Sequence, residues 1–151
     1  MAWLERAGGW DLSSVSLVCR PDGGSFVLDG VKTLVSDGGG AELLLVVARL
    51  PGTQGEEGIT LLQVERSAPG VKLDLPPSLD PTRRQAHLEL AGARAEALGS
   101  VGAAGNALEK TLSQATVGLA FEMLGGAGRC LEMAVAYAKS RVQFGRPIGA
   151  F

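Results

Sequence analysis

The amino-acid sequence predicts an α+β protein in which an antiparallel β-barrel or sandwich is followed by one long C-terminal helix. Two observations lead to this prediction. In several short segments of residues 1–105, apolar and polar residues alternate, which is the period of half-buried strands. In residues 106–151, apolar residues recur every three or four positions, which is the period of a helix. We therefore expect two domains, 1–105 and 106–151.

Six segments of the first domain are rich in Val, Leu and Ile and are expected to be strands. Turn signals of Gly, Pro and Asp separate them, including Asp29-Gly30 and Gly38-Gly39-Gly40. Six or seven short strands at this spacing are typical of an antiparallel barrel or sandwich of about 100 residues. The expected strands are residues 13–20, 25–35, 43–49, 59–65, 71–75 and 85–90.

The predicted helix begins at Asn106, which is a good N-cap residue and is followed by Glu109 at the capping-box position. No proline interrupts the sequence until Pro147, so the helix should run for about 34 residues, or about 50 Å. A barrel of about 100 residues is only about 30–35 Å across, so such a helix must extend past it. Its apolar positions are Leu108, Leu112, Ala115, Leu119 and Met123, widened by Phe121, Leu124, Leu131 and Val135.

A helix that is apolar on more than one side belongs inside a bundle. We therefore expect the chain to be part of a larger fold, in which further helices cover this one, or an obligate oligomer. The first alternative is favoured. A helix broken into short pieces that pack on the strands would contradict this expectation.

The composition limits the classes of partner. The chain has 14 Lys and Arg against 16 Asp and Glu, with a pI near 5.4, which argues against nucleic acid and anionic membranes as partners. No apolar run reaches the ~18 residues of a membrane span. Cys19 and Cys130 are far apart and not in a metal-binding spacing, so we expect no metal and a cytoplasmic protein with reduced thiols. A regulatory disulfide is the alternative.

Three stretches carry a family resemblance. The end of the chain, Y-A-K-S-R-V-Q-F-G-R-P-I-G-A-F at 137–151, resembles the signature of FAD-dependent acyl-CoA dehydrogenases, where the first helix of a C-terminal bundle ends in Arg-x-x-Phe-Gly. The sequence E-M-L-G-G-A at 122–127 is similar to a small-residue stretch of that helix. The motif L-D-G-V-K-T-L-V-S-D-G at 28–38 resembles a motif of the family's middle β-barrel.

The resemblance implies an architecture. Residues 1–105 would be the middle β-barrel domain, and residues 106–151 would be the first helix of a four-helix C-terminal bundle. The other three helices and the family's N-terminal helical domain are then expected outside this chain. On its own, such a piece is expected to be inactive.

The resemblance also implies a function. Members of the family desaturate an acyl-CoA thioester: a carboxylate removes the α-proton and the β-carbon gives a hydride to N5 of FAD. The implied partners are the acyl-CoA substrate, an electron-transferring flavoprotein and further copies of the chain in a homodimer or homotetramer. An acyl-CoA oxidase or flavin monooxygenase of the same superfamily is an alternative. A non-enzymatic β-barrel binding module that dimerises through its helix is another.

The first group of residues implied in cofactor binding lies at 34–36. The Ser36 hydroxyl would bond the N5/O4 edge of the flavin, Val35 would offer a backbone group, and Leu34 replaces the aromatic residue that usually packs on the ring. Without the resemblance, the sequence favours the alternative that the Ser36 hydroxyl caps the turn after its strand.

The second group lies at the end of the chain. By resemblance, Arg141, Gln143 and Phe144 would reach across a dimer interface to the FAD of the partner subunit. Arginine offers a fork of donors for pyrophosphate, and an aromatic ring can pack on the nucleotide. The alternative is a cation that is favourable near a helix C-terminus, followed by a hydrophobic stop.

The catalytic base is not visible in the sequence. In most members of the family it lies late in the bundle, and it is expected beyond Phe151. In a minority it lies on this helix, at the position of Ala115, and Glu109 and Glu122 are too far along the helix to replace it. Leu4 and Trp10 stand where the family has hydroxyl residues near the cofactor, so we assign them no role.

Overall fold

The computed structural model describes residues 1–6, 8–80 and 82–151, and it confirms the predicted fold class. A mainly antiparallel β-structure is followed by a single long helix. The chain divides into two compact units, Met1–Ala107 and Leu108–Phe151. The domain boundary expected between residues 105 and 106 stays a prediction.

Six strands of the first unit form one sheet in the order β1-β2-β6-β4-β3, and β5 also pairs with β6. All of these pairs are antiparallel. The sheet closes on itself because the backbone N–H of Arg49, at the end of β3, donates to the carbonyl of Leu17 at 2.9 Å, just before β1. The strands are β1 (Cys19–Asp22), β2 (Ser25–Ser36), β3 (Leu43–Arg49), β4 (Ile59–Glu65), β5 (Val71–Asp74) and β6 (Gln85–Ala97).

The core lies inside this closed sheet. Alternate residues of the strands point into it, as the period of two in the sequence predicts. Leu28, Val46, Leu62 and Leu88 are each completely buried. Burial of a side chain of this size contributes about 1.5–3 kcal/mol, so these residues are the main source of stability of the first unit.

Two strand predictions were wrong at their ends. The first strand was expected at 13–20, but Leu12–Ser14 form a 3₁₀-helix and β1 begins only at Cys19. The Ser14 hydroxyl donates to the Asp11 carbonyl at 2.6 Å, a local bond that competes with strand pairing. The last strand was expected to end at residue 90, but β6 continues to Ala97 because small residues fill its inward positions.

The prediction of a turn at Asp29-Gly30 was also wrong, since both residues lie in the middle of β2. Asp29 Oδ1 instead accepts the backbone N–H of Gly92 at 2.6 Å, where β6 carries an extra residue. Gly30 is needed for close approach, because a Cβ there would lie 2.6 Å from Cδ1 of Leu17.

The long helix α1 comprises the 36 residues Gly105–Ser140 without interruption, as predicted. Asn106 was expected to be the N-cap, but the helix already begins at Gly105, so Asn106 lies inside the first turn. Leu108 is the buried residue of α1, and its large apolar side chains further along are exposed, for example Phe121 at 70% and Leu124 at 68%. No helix in the described part of the chain is long and apolar enough to cross a membrane.

Candidate functional site

The candidate site in the first unit is built around a β-bulge near the end of β2. Lys32 and Val35 pair with residues of β6 that flank His87, so Thr33 and Leu34 together oppose His87 alone. Two residues facing one define a bulge, and a bulge locally re-aims the side chains that follow it.

The bulge inverts the alternation of β2. Lys32 is 0% exposed and Val35 is 1% exposed, although they are three positions apart and a regular strand would point them to opposite faces. Ser36 follows as an exposed residue. Without the extra residue, Ser36 would lie on the same face as Lys32, inside the barrel. The bulge therefore carries the Ser36 hydroxyl to the outer face.

Leu34, within the bulge, has an unusual backbone conformation. Its φ is 51°, in the left-handed region, and its side chain is 51% exposed. A bulky residue other than glycine in this region costs about 1–2 kcal/mol. Strained residues of this kind cluster at functional sites, so the strain marks the outer face beside Leu34 as a candidate site.

Ser36 and Val35 present different groups to this face. The Ser36 Oγ lies 3.4 Å from Oε1 of Gln85, a long distance for a hydrogen bond between oxygens, so the hydroxyl is weakly engaged. The Val35 side chain is buried, and its carbonyl accepts the backbone N–H of Gly38 at 3.2 Å. A ligand on this face could therefore meet the hydroxyl of Ser36 but only backbone atoms of Val35.

A buried ion pair lies directly before the bulge. The Lys32 Nζ donates to Oε1 of Glu5 at 2.6 Å and to the Trp3 carbonyl at 3.1 Å. Glu5 also accepts the backbone N–H groups of Ser16 and Leu17, each at 3.0 Å. The pair therefore connects the N-terminal segment, the residues before β1 and β2.

Burial and hydrogen bonding act on the two charges of this pair. Desolvation by burial would raise the pKa of Glu5, but hydrogen bonds from Lys32 and Ser16, together with the lysine charge, outweigh it and lower this pKa. Desolvation lowers the pKa of Lys32, and the bond to Glu5 opposes that shift. Each group thus relies on the other to stay ionised inside the barrel.

The N-terminal segment lies beside the bulge. The Thr33 backbone N–H donates to the Leu4 carbonyl at 2.8 Å. Leu4 is half-buried, whereas Trp10 is 75% exposed. Neither side chain offers a hydroxyl, and neither is assigned a role in binding.

The second candidate group lies in a hairpin after α1. The short strands β7 (Val142–Gln143) and β8 (Arg146–Pro147) pair across the two-residue loop of Phe144 and Gly145. Both loop residues have positive φ, 51° and 78°, as a tight hairpin turn requires. This turn leaves the Phe144 side chain 94% exposed.

Phe144 is the first member of a chain of contacts with Phe151 and Arg146. Its ring makes an edge-to-face contact with Phe151, with ring centroids 6.3 Å apart. The Arg146 guanidinium lies over the Phe151 ring at 3.8 Å from its centroid, a cation–π geometry. The hairpin therefore presents a small aromatic surface with a positive charge.

Arg141 and Gln143 flank the same hairpin and are both exposed. The Gln143 amide donates to the carbonyl of Val142 at 2.8 Å. The Arg141 carbonyl accepts the backbone N–H of Ile148 at 2.8 Å, while its guanidinium has no carboxylate partner among the described residues. Its donors are therefore open to an anionic ligand.

The predicted site residues fall into two groups that lie in different compact units. Val35 and Ser36 stand together beside the bulge, and Arg141, Gln143 and Phe144 stand together at the hairpin.

Sequence reasoning missed the strain at Leu34 and the Glu5–Lys32 pair. The inward position of Lys32 could have been predicted, because it lies four residues after the inward residue Leu28 on an alternating strand, but no sequence signal identifies Glu5 as its partner.

Two family models match the chain. One, described as acyl-CoA dehydrogenase, middle domain, matches residues 1–91, and another, described as acyl-CoA dehydrogenase, C-terminal domain, matches residues 103–151. The fold of a closed β-structure with one long helix agrees with this match. The chain belongs to the acyl-CoA dehydrogenase family, which confirms the resemblance found in the sequence.

Individual relatives agree with the family. A curated acyl-CoA dehydrogenase of Bacillus subtilis is 31% identical over 99% of this chain and 41% of its own length. An acyl-CoA dehydrogenase structure from Geobacillus kaustophilus is similar with a TM-score of 0.91 and 26% identity, covering 99% of this chain and 41% of that one. The prolyl acyl carrier protein oxidase AnaB is similar with a TM-score of 0.87 and 30% identity, again over 99% and 41%. The chain thus spans about two fifths of the length of these relatives.

Proposed function

We propose that this chain supplies part of the FAD site of an enzyme that desaturates an acyl-CoA thioester between its α- and β-carbons. The observation that carries the proposal is the bulge in β2, which turns the hydroxyl of Ser36 outward beside the strained residue Leu34. Membership of the family supports the choice of FAD and of an acyl-CoA substrate. When bound, FAD would supply the hydride acceptor for the β-carbon.

The residues of the first unit fit a flavin edge. An isoalloxazine ring offers acceptor atoms at N5 and O4, and Ser36 has a hydroxyl with only a long bond to Gln85. Ser36 would donate to this edge, and the backbone at Val35 would lie against it. Leu34 provides exposed apolar surface for the ring, with less contact area than an aromatic residue.

The residues of the hairpin fit the nucleotide part of FAD. Arg141 would bind the pyrophosphate with its open guanidinium, Gln143 would add an amide, and Phe144 would pack against apolar surface. We propose that they serve the FAD of a second copy of the chain, in a homodimer or homotetramer. An exposed aromatic ring beside a free guanidinium supports an interface role for the hairpin.

No catalytic base is assigned among the residues of this chain. The position expected in a minority of the family is Ala115, whose methyl group cannot accept a proton. Glu109 lies six residues before it and Glu122 seven after, which is about 10 Å along the axis and beyond hydrogen-bond reach of the same proton.

The electron acceptor distinguishes two candidate functions. Transfer to an electron-transferring flavoprotein is proposed for a dehydrogenase of this family. The similarity to the oxidase AnaB favours oxygen as the acceptor in the second candidate, an oxidase. Hydrogen peroxide formed during turnover in air would identify the oxidase.

A cytoplasmic location is also proposed. The thiols of Cys19 and Cys130 are free, and Cys130 is exposed, which suits a reducing compartment.

The test of the cofactor proposal is an equilibrium titration of the protein with FAD, followed by the flavin absorption spectrum. Ser36→Ala removes the hydroxyl and is expected to weaken FAD binding about tenfold, the value of one hydrogen bond to a buried ligand. Ser67→Ala is the matched control, because Ser67 is an exposed serine in the turn after β4, and this variant should bind FAD normally. A protein that binds no FAD, or equal affinities for both variants, would contradict the proposal.

A further inference from the structure

We propose that the buried Lys32–Glu5 ion pair is a positioning device that fixes the bulge at Thr33 and Leu34 and so holds the hydroxyl of Ser36 toward the flavin. The inference rests on the proposed function for the flavin contact. It assigns Lys32 and Glu5 a role beyond stabilising the fold, although neither residue is expected to touch the cofactor.

The first step concerns which residues of β2 point into the barrel. Lys32 and Val35 both point into the barrel, and their spacing of three residues is incompatible with regular alternation. One extra residue must therefore be accommodated between them. The bulge exists because both ends are held inward, Val35 by apolar packing and Lys32 by its polar contacts.

The second step concerns what holds Lys32 inward. A lysine ammonium group is not stable in an apolar interior unless its hydrogen bonds are made and its charge is balanced. Lys32 meets this condition through Oε1 of Glu5 at 2.6 Å and the Trp3 carbonyl at 3.1 Å. These partners fix the position of Lys32 more narrowly than apolar contact alone would.

The third step concerns what holds Glu5. Its carboxylate also accepts the backbone N–H groups of Ser16 and Leu17, and its side chain is 11% exposed. Because these donors belong to a different segment, the carboxylate cannot follow Lys32 if β2 shifts. The pair is therefore a fixed point immediately before the bulge.

The consequence concerns Ser36. If Lys32 loses its fixed point, β2 can relax the strain at Leu34 by moving the extra residue along the strand. Because Val35 still points into the barrel, Ser36 stays on the outer face, but residues 33–36 are then held firmly at one end only and the Ser36 hydroxyl is positioned less precisely. The hydroxyl would contribute less to flavin binding even though the residue itself is unchanged.

The experiment combines two substitutions in one protein, so that both charges of the buried pair are removed and neither is left unpaired. Lys32→Met keeps an unbranched side chain of nearly the same length, and Glu5→Gln keeps an oxygen that can accept from Ser16 and Leu17. Removing both partners of a buried pair is commonly tolerated by the fold, unlike the removal of one. The double variant K32M/E5Q therefore separates positioning from stability, and its circular dichroism spectrum checks that it is folded.

The first readout is a double-mutant cycle on FAD affinity. Ser36→Ala is expected to weaken FAD binding about tenfold in the natural sequence and less than about twofold in K32M/E5Q. Equal costs of Ser36→Ala in the two backgrounds would overturn the proposal, because the pair would then act only on stability.

The second readout needs no cofactor. Amide hydrogen exchange at residues 33–36 is expected to be at least about tenfold faster in K32M/E5Q, while exchange in β3 stays unchanged. Unchanged exchange at residues 33–36 would overturn the proposal. A protein that binds no FAD would instead contradict the proposed function and the flavin contact, and the exchange data would still decide whether the pair fixes the bulge.

Discussion

The ammonium nitrogen of Lys32 lies 2.6 Å from Oε1 of Glu5, 27 residues earlier in the chain. The lysine side chain is 0% exposed and the glutamate side chain 11%. A pair this deep adds little net stability, because desolvation offsets the attraction, but the loss of one partner leaves a buried charge uncompensated. The stability of the barrel should therefore depend on both residues being present or both being replaced.

Glu5→Gln alone is expected to lower the free energy of unfolding by about 3 kcal/mol, since it leaves the ammonium group of Lys32 without a counter-charge. Lys32→Met alone should cost less, because Glu5 keeps its bonds to the N–H groups of Ser16 and Leu17. Urea denaturation measures both values. The double variant should lose less free energy of unfolding than the two single variants lose together. A loss equal to their sum would show that the two charges do not depend on each other.

The stability difference between the natural protein and Glu5→Gln should depend on pH. The pKa of Glu5 is lower in the folded protein than in the unfolded chain, where it is about 4.3. Ionised Glu5 therefore stabilises the fold above about pH 4.3, and this stabilisation is lost as the pH falls through the pKa of the folded protein. The difference should be full at neutral pH and shrink below about pH 4.3, because glutamine does not titrate. Unfolding curves from about pH 6 to about pH 3 test this, and a difference that stays constant would contradict it.

Leu34→Gly is expected to leave the free energy of unfolding unchanged or raise it by up to about 1 kcal/mol. Glycine removes the strain of a φ of 51°, which offsets its greater freedom in the unfolded chain. Leu43→Gly is the matched control, because Leu43 is equally exposed at 50% but lies in a regular strand. The control should lose at least about 0.5–1 kcal/mol in thermal unfolding. Equal losses at both positions would show that Leu34 is not strained.

Arg49→Met should destabilise the barrel by about 2–4 kcal/mol. Arg49 is 7% exposed, and its guanidinium donates to the carbonyls of Val15, Thr53 and Gly55, which would lose these donors together. Arg49→Lys should recover less than half of this loss, because one ammonium group cannot reach three carbonyls. Full recovery with lysine, measured by urea denaturation, would mean that the charge alone matters.

Most of the fold could be predicted from the sequence because the spacing of apolar residues differs between strands and helices. Alternation gave four strands nearly to the residue, and the spacing of apolar residues gave one unbroken helix ending near Ser140. Two of the errors came from local hydrogen bonds, which leave no periodic pattern in the sequence. The Ser14 hydroxyl closes a 3₁₀ turn where a strand was expected, and Asp29 supports a bulge in β6 instead of forming a turn.

The candidate site was harder to predict than the fold. Ser36 is a candidate by resemblance, but its outward orientation depends on an extra residue in β2 that alternation alone does not reveal. The hairpin around Phe144 follows from two consecutive residues with positive φ, and Phe-Gly is a weaker signal for such a turn than Asn-Gly. Contacts such as that of Arg146 with Phe151 depend on the closed hairpin and have no signature in the sequence.

The most direct test of the account is an anaerobic titration, with straight-chain and branched acyl-CoA thioesters, of the complete enzyme to which this chain is proposed to contribute, purified from its native cells. The account predicts a yellow protein whose flavin absorption is lost on addition of a matching acyl-CoA, with the α,β-unsaturated thioester as the product. A colourless protein that does not take up FAD, or a flavin absorption that no acyl-CoA changes, would contradict it.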